Sequence, residues 1–270
     1  SCVAGRRTRR VRAAVITFAA WTSALPALGM LALVAWVVAT VRRNVGLVDV
    51  FWSCFLLLAA VVFAVRAAEI GVRGWVALGL VAAWALRLSA YLAARNWNAP
   101  EDRRYVEIRA RNQPNFAWKS LYLVFGLQAL LAWIISAPLA VAIVAPGTPG
   151  AIGLLGAILC GFGIAFETIA DWQLARFKAD PHNASRVMNK GLWRLTRHPN
   201  YFGEFCVWWG FYLLAGDAGG WWTAISPVLM SILLLRVSGV ALLERDIVDR
   251  RPGYREYVAR TNAFFPGPPR

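Results

Sequence analysis

Residues with chemical potential crowd one stretch of the chain, Lys190-Gly-Leu-Trp-Arg-Leu-Thr-Arg-His-Pro-Asn-Tyr-Phe-Gly-Glu204. Arg194, Arg197, His198, Asn200, Tyr201 and Glu204 lie within eleven positions of it. Pro199 suits the first turn of a helix, where its missing N–H costs nothing. Such a helix start aims free backbone N–H groups outward, and the two arginines add positive charge beside them. The expected ligand carries phosphate. The same residues also fit an interfacial helix start whose Arg and Tyr side chains snorkel toward water.

A second group is the pair Glu167 and Asp171, four residues apart in an apolar run. At that spacing both carboxylates leave one face of a helix, and two like charges there repel. The face must therefore meet cations, a hydrogen-bonding ligand or water. Arg176 and Lys178 follow within two turns. A cofactor pocket and an interhelical salt-bridge network both satisfy this pattern, and the pocket is the expectation adopted. The tail run Glu244-Arg-Asp-Ile-Val-Asp-Arg-Arg-Pro-Gly-Tyr-Arg-Glu-Tyr257 mixes acids, bases and tyrosines. It reads as a solvated amphipathic helix or as a lid over the same pocket. His182 and His198 are the only histidines, and Cys2, Cys54, Cys160 and Cys206 form no CxxC pair, so no metal site is expected.

The elements that hold these groups are membrane helices. The 270 residues are 59% hydrophobic and 16% charged, with a mean hydropathy of +0.52. A soluble domain is nearer a quarter charged. Apolar blocks at about 13–41, 48–67, 74–93, 121–145, 151–170, 205–215 and 221–243 each approach the length of a bilayer span, and none alternates like a barrel strand. The expectation is an all-α polytopic bundle of about seven transmembrane helices forming one domain over 1–270. Asp49, Arg87, Glu167, Asp171, Glu204 and Arg236 fall inside apolar blocks, where ionisable groups are costly and read as functional. Ala157, Gly161 and Ala165 read as a small-residue packing face.

Net charge is +15, from 29 Lys+Arg against 14 Asp+Glu. With seven spans, 20 of the 29 basic residues share one side, which the positive-inside rule assigns to the cytosol. This topology and contact with anionic lipid account for the charge, so nucleic acid is not an expected partner. The five arginines between positions 6 and 12 fall on the other side and disobey the rule; an amphipathic or non-native leader is expected there. No Walker, GxSxG or HExxH motif occurs, and Gly161-x-Gly163 sits within an apolar helix rather than after a strand.

The segment Gly191–Glu204, the Glu167-xxx-Asp171-x-Gln173 run and the Tyr254-xx-Tyr257…Phe265-Pro266 tail resemble, in order, the C-terminal half of the steroid 5-alpha-reductase family. Val45-Gly-Leu-Val-Asp49-Val-Phe-Trp52 looks like its bacterial, largely uncharacterised branch. The resemblance implies seven transmembrane helices in a bacterial inner membrane, with NADPH bound on the cytosolic side by a 151–267 half. It also implies hydride transfer to the C=C bond of an apolar α,β-unsaturated ketone, held by substrate-side helices within 13–145. Carried over by position, Asp171, Arg176, Lys178, Asn200, Tyr201 and Glu204 contact NADPH, Arg194 and Arg197 partner its phosphates, and Glu244 is a tail contact. Glu167, His198 and Tyr257 complete the expected pocket. The family's tyrosine proton donor, held by a carboxylate, is replaced by Trp84 at its span-three position. Tyr91, seven residues on and on the same face, is taken as the donor, with Asp49 as its carboxylate. The Arg197-His198-Pro199-x-Tyr201-x-Gly203 element is also similar to the isoprenylcysteine carboxyl methyltransferases, which use S-adenosylmethionine. A non-enzymatic lipid-binding role is the third reading.

Overall fold

The computed structural model describes residues 18–237 and 253–269. Among the described residues it is helical, with no strand. The helices are α1 (Leu25–Val41), α2 (Val48–Arg66), α3 (Val72–Asn96), α4 (Arg103–Arg111), α5 (Phe116–Ile135), α6 (Ala137–Val144), α7 (Ala151–Ala179), α8 (Pro199–Gly216), α9 (Trp221–Arg236) and α10 (Tyr254–Arg260). The seven apolar blocks are all helical where described. Five helices are long and apolar enough to cross a bilayer: α2, α3, α5, α7, and α1 with the turn before it. α8, at 18 residues, and the shorter α9 are not among the five. The chain is an integral-membrane helical bundle.

Local chemistry sets the helix ends. The fourth apolar block is one run in sequence but breaks at Ser136, because Pro138 enters the first turn of α6 and Ser136 Oγ turns back to donate to the Trp133 carbonyl. α8 starts at Pro199, so the sixth block reaches back through Tyr201. α7 has 29 residues, about 43 Å at 1.5 Å per residue, against a hydrocarbon core of about 30 Å. Its last turns therefore project beyond the apolar layer, carrying Arg176 and Lys178 with them.

The tightest contact in the bundle is α7 against α8. A Cβ added to Gly163 would stand 2.5 Å from the Gly203 carbonyl oxygen, and one on Gly203 would stand 2.7 Å from the Gly163 carbonyl oxygen and the Glu167 nitrogen. Gly156 and Gly210 repeat the arrangement one stage along. Without large side chains the two backbones touch, and van der Waals contact replaces the hydrophobic drive that lipid removes. The expected packing face Ala157-Gly161-Ala165 is not this one: Ala165 is exposed and a Cβ added to Gly161 would meet nothing within 4 Å. The packed stripe is Gly156-Cys160-Gly163, on the neighbouring face, because Gly203 and Gly210 of α8 let the two backbones meet there.

At the end of the bundle opposite α4, three loops are tied by one ion pair. Arg73, at the start of α3, donates to the carbonyls of Pro146 and Thr148 and pairs with Asp217 at 3.1 Å. Asp217 also accepts from the Gly150 N–H at 2.8 Å. That N–H first, and Arg73 with it, holds the Asp217 carboxyl below the usual carboxylate range.

Two outcomes follow from this packing. Gly203→Val should cost the fold about 3 kcal/mol or more, since the clash is with backbone, while Gly161→Ala should stay within about 0.5 kcal/mol of the parent; thermal unfolding in detergent compares them. Asp217 stabilises the folded chain when ionised, so its contribution is present above about pH 4 and disappears as pH falls through its lowered value. The gap in unfolding midpoint between the parent and Asp217→Asn should therefore be wide near neutrality and close in acid.

Candidate functional site

The site starts with a charge inside the bundle. Arg87 stands midway along α3, and its guanidinium meets Glu167 Oε1 at 2.6 Å and Asp171 Oδ2 at 2.7 Å. Both acids are at least 96% buried. The i, i+4 pair thus finds its cation on another helix, and the charges compensate one another where water cannot. Asn200, in the first turn of α8, donates from Nδ2 to Asp171 Oδ1 at 3.3 Å. Glu204, one turn further, is buried beside Trp52 of α2. Four helices, α2, α3, α7 and α8, therefore converge on one polar seam.

Above this seam lies a cavity of about 720 Å³. Its back wall is the end of α7, the start of α8 and the tail, including Lys178, Trp193, Arg197, His198, Asn200, Tyr201 and Tyr257. Its front wall comes from the other half of the chain and includes Asn44, Arg95, Asp102 and Arg104. The His198 and Tyr201 rings stack in parallel, 5.6 Å apart, on the side where α8 begins.

The back wall is folded by backbone demands. Gly191 takes φ +57, and a Cβ there would run into the Gln173 side chain, whose Oε1 accepts from the Leu192 N–H at 3.0 Å. Trp193 donates to the Ala170 carbonyl at 3.0 Å. Onto this turn the tail is strapped. Tyr257 donates to the Trp193 carbonyl, Thr196 Oγ1 to the Phe264 carbonyl at 2.8 Å, and Gly267 N–H to the Leu195 carbonyl at 3.0 Å. Arg197 binds the carbonyls of Thr261 at 2.7 Å and Val258 at 3.3 Å.

The front wall is a second ionic knot. Asp49, at the start of α2, accepts from Tyr105 at 2.6 Å and from Arg104 at 3.0 Å. Burial, then the adjacent Asp49 charge, pushes the Tyr105 hydroxyl well above its ordinary value, so it remains a donor. Glu101 takes a bidentate bond from Arg109 and caps the Val45 N–H at 2.7 Å.

Of the residues singled out in the sequence, Lys178, Arg197, His198, Asn200, Tyr201 and Tyr257 line the cavity. Asp171 supports its floor through Asn200. Glu167 and Glu204 are buried in the seam beneath and do not line it. Arg194 and Arg176 are exposed outside it, the latter over the Trp172 ring at 5.6 Å. Arg197 spends its guanidinium on tail carbonyls rather than facing a ligand as a free cation. Glu244 lies outside the described residues. Tyr91 and Asp49 are not brought together: Asp49 is held by Tyr105 and Arg104, while Tyr91 lies under Arg95, 5.7 Å from its guanidinium. The missed residues are Arg95, Arg104 and Tyr105, and the Arg87 pairing. An arginine alone in a span was the one signal that could have found the last.

A family model described as a protein of unknown function (DUF1295) matches residues 35–261. The chain belongs to that family. DUF1295 is related to steroid 5-alpha-reductase-like proteins. The match includes both walls of the cavity and the seam, so they form one family unit. The DUF1295 chain is also similar to an uncharacterized protein of Schizosaccharomyces pombe, C594.04c, with 26% identity over 211 residues. These are 68% of this chain and 60% of that protein, so the chain spans about 60% of the length of this curated relative. No solved structure matches.

The strap yields a test. Arg197→Ala removes charge-assisted bonds to two tail carbonyls, each worth about 1.5–3 kcal/mol. Amide exchange in residues 254–264 should rise by more than tenfold, with α7 and α8 unchanged.

Proposed function

We propose that this chain is a membrane-embedded reductase that uses NADPH to saturate the C=C bond of an apolar α,β-unsaturated ketone. One observation carries the reading: the cavity where the basic loops meet. Its volume is within the range of cofactor sites, about 300–1,000 Å³. Its lining holds four basic side chains, Arg95, Arg104, Lys178 and Arg197, against one acid, Asp102; Arg104 pairs with that acid and with Asp49, and Arg197 bonds tail carbonyls. Such a lining favours a ligand with several phosphate charges. S-adenosylmethionine carries a cationic sulfonium and no phosphate, and would gain little there.

The donor set fits a dinucleotide. Arg95 and Lys178 would face its phosphates. Asn200 and Tyr201 would face its ring end, with His198 stacked behind Tyr201. Tyr257 would close the wall from the tail. When bound, NADPH supplies the hydride that the double bond takes up. The chain must then supply a hydrogen-bond donor to the ketone oxygen, where negative charge collects, and a proton. Tyr91 Oη is assigned that role. It lies in α3 one turn beyond Arg87, under the guanidinium of Arg95, which lines the cavity. The apolar substrate enters from the bilayer, and the cofactor from the cytosol.

Tryptophan-fluorescence titration of the purified chain should give NADPH at least tenfold tighter than NADH, with no saturable S-adenosylmethionine binding. Saturable S-adenosylmethionine binding with none for NADPH would sink the reductase reading. Asn200→Ala should remove NADPH binding from a folded protein. Tyr91→Phe should abolish turnover and leave NADPH affinity unchanged. If Tyr91→Phe turns over normally and Tyr105→Phe does not, the proton donor is the Tyr105–Asp49 pair.

A further inference from the structure

Asn200 lies on the cavity floor, and the direction of its side-chain amide is decided by Asp171. The two oxygens of Asp171 are both engaged: Oδ2 accepts from Arg87 at 2.7 Å, and Oδ1 lies 3.3 Å from Asn200 Nδ2. A carboxylate paired with a guanidinium can only accept. The reverse amide orientation would set Asn200 Oδ1 against Asp171 Oδ1, oxygen against oxygen. The N–H2 end is therefore turned down to Asp171, and the carbonyl end is turned away from it. Among the described residues no group donates to Asn200 Oδ1, and this atom is not among the buried, unpartnered ones. It is open to the cavity.

We propose that Arg87 is a positioning residue. Through Asp171 it fixes the Asn200 amide with its oxygen toward the cavity, so that the floor accepts a hydrogen bond and selects a ligand group that presents N–H or O–H. A group that only accepts, such as a phosphate or ketone oxygen, meets a like partner there and is turned away. The relay explains why a guanidinium sits inside α3: it bridges Glu167 and Asp171, offsetting one unit of their charge, and it leaves Asp171 Oδ1 to Asn200. In the NADPH reading, on which only the choice of probe rests, the carboxamide and the ribose hydroxyls are such donors.

Removing Arg87 would strand two buried acids and unfold the chain, so the test uses isosteric changes in its partners. Asp171→Asn lets Asn200 turn either way. Glu167→Gln removes the same unit of charge beside Arg87 but touches neither Asn200 nor the cavity. NADPH affinity should fall about tenfold or more in Asp171→Asn, the scale of one directed hydrogen bond, and stay within about twofold in Glu167→Gln. Equal losses would overturn the relay, since charge balance alone would then explain them. A ligand-free cycle keeps the two questions apart. Thermal unfolding of Asn200→Ala combined with Asp171→Asn should be non-additive, whereas Asn200→Ala with Glu167→Gln should be additive. If the parent binds no NADPH, the cofactor reading falls and this cycle alone judges the relay; additivity in both pairs would refute it.

Discussion

The placement of one guanidinium governs this molecule. Arg87 stands inside a membrane helix, where an unpaired charge costs several kcal/mol, and two carboxylates one turn apart on α7 answer it. The pairing is a constraint on both sides. α3 must face α7 at this level, and α7 must turn its acidic face inward. Once that face is fixed, the glycines of α7 at positions 156 and 163 are also fixed, against Gly210 and Gly203 of α8. The register of α8 then places Asn200 beside Asp171. The polar seam and the glycine zipper specify the same rotation of α7, and neither would be satisfied by a turn of the helix about its axis.

The cavity above the seam follows from lengths. α7 outruns the apolar layer, so its last turns need partners other than lipid. The turn 191–194 supplies them through Gln173 and Trp193, and the tail packs over that turn by backbone bonds. On the other side, Asp49, Tyr105, Arg104 and Glu101 fold the loops around α4 into a wall. The space between is polar because each wall has used its acids internally. Asp49 and Glu101 are consumed by Arg104, Tyr105 and Arg109, while Arg95 and Lys178 line the space. Basic side chains thus outnumber acidic ones in the lining of that space, and they come from separate segments of the chain rather than from one local run.

This explains what could be read from the sequence. The helical class and the apolar blocks were legible because a span is a local property of about 20 residues. The i, i+4 acids and the Arg87 position were each legible as groups out of place. Their mutual pairing was not, since 84 residues separate Arg87 from Asp171. The small-residue face of α7 was misread for a different reason. Small residues occur on two adjacent faces of that helix, and only the partner helix decides which is used. The strap made by Arg197 was not legible because its partners are carbonyl oxygens, which every residue has. The tyrosine–carboxylate pair at the front wall was half legible: Asp49 stood out, but Tyr105 lies 56 residues away on α4, a short polar helix whose partner its own sequence does not name.

The arrangement also separates two duties that sequence inspection had merged. Arg194, Arg197, Asn200 and Glu204 look like one binding motif because they are neighbours in the chain. In the fold they act at four depths. Arg194 is in solvent, Arg197 straps the tail, Asn200 forms the cavity floor, and Glu204 is buried against Trp52. Proximity in sequence therefore reflects a turn and a helix start leading from water into the bundle, the helix gaining about 1.5 Å along its axis with each residue. A motif at such a crossing reports position along the membrane normal as much as shared chemistry. The groups that do act together, Arg87, Asp171 and Asn200, come from three helices and share a depth.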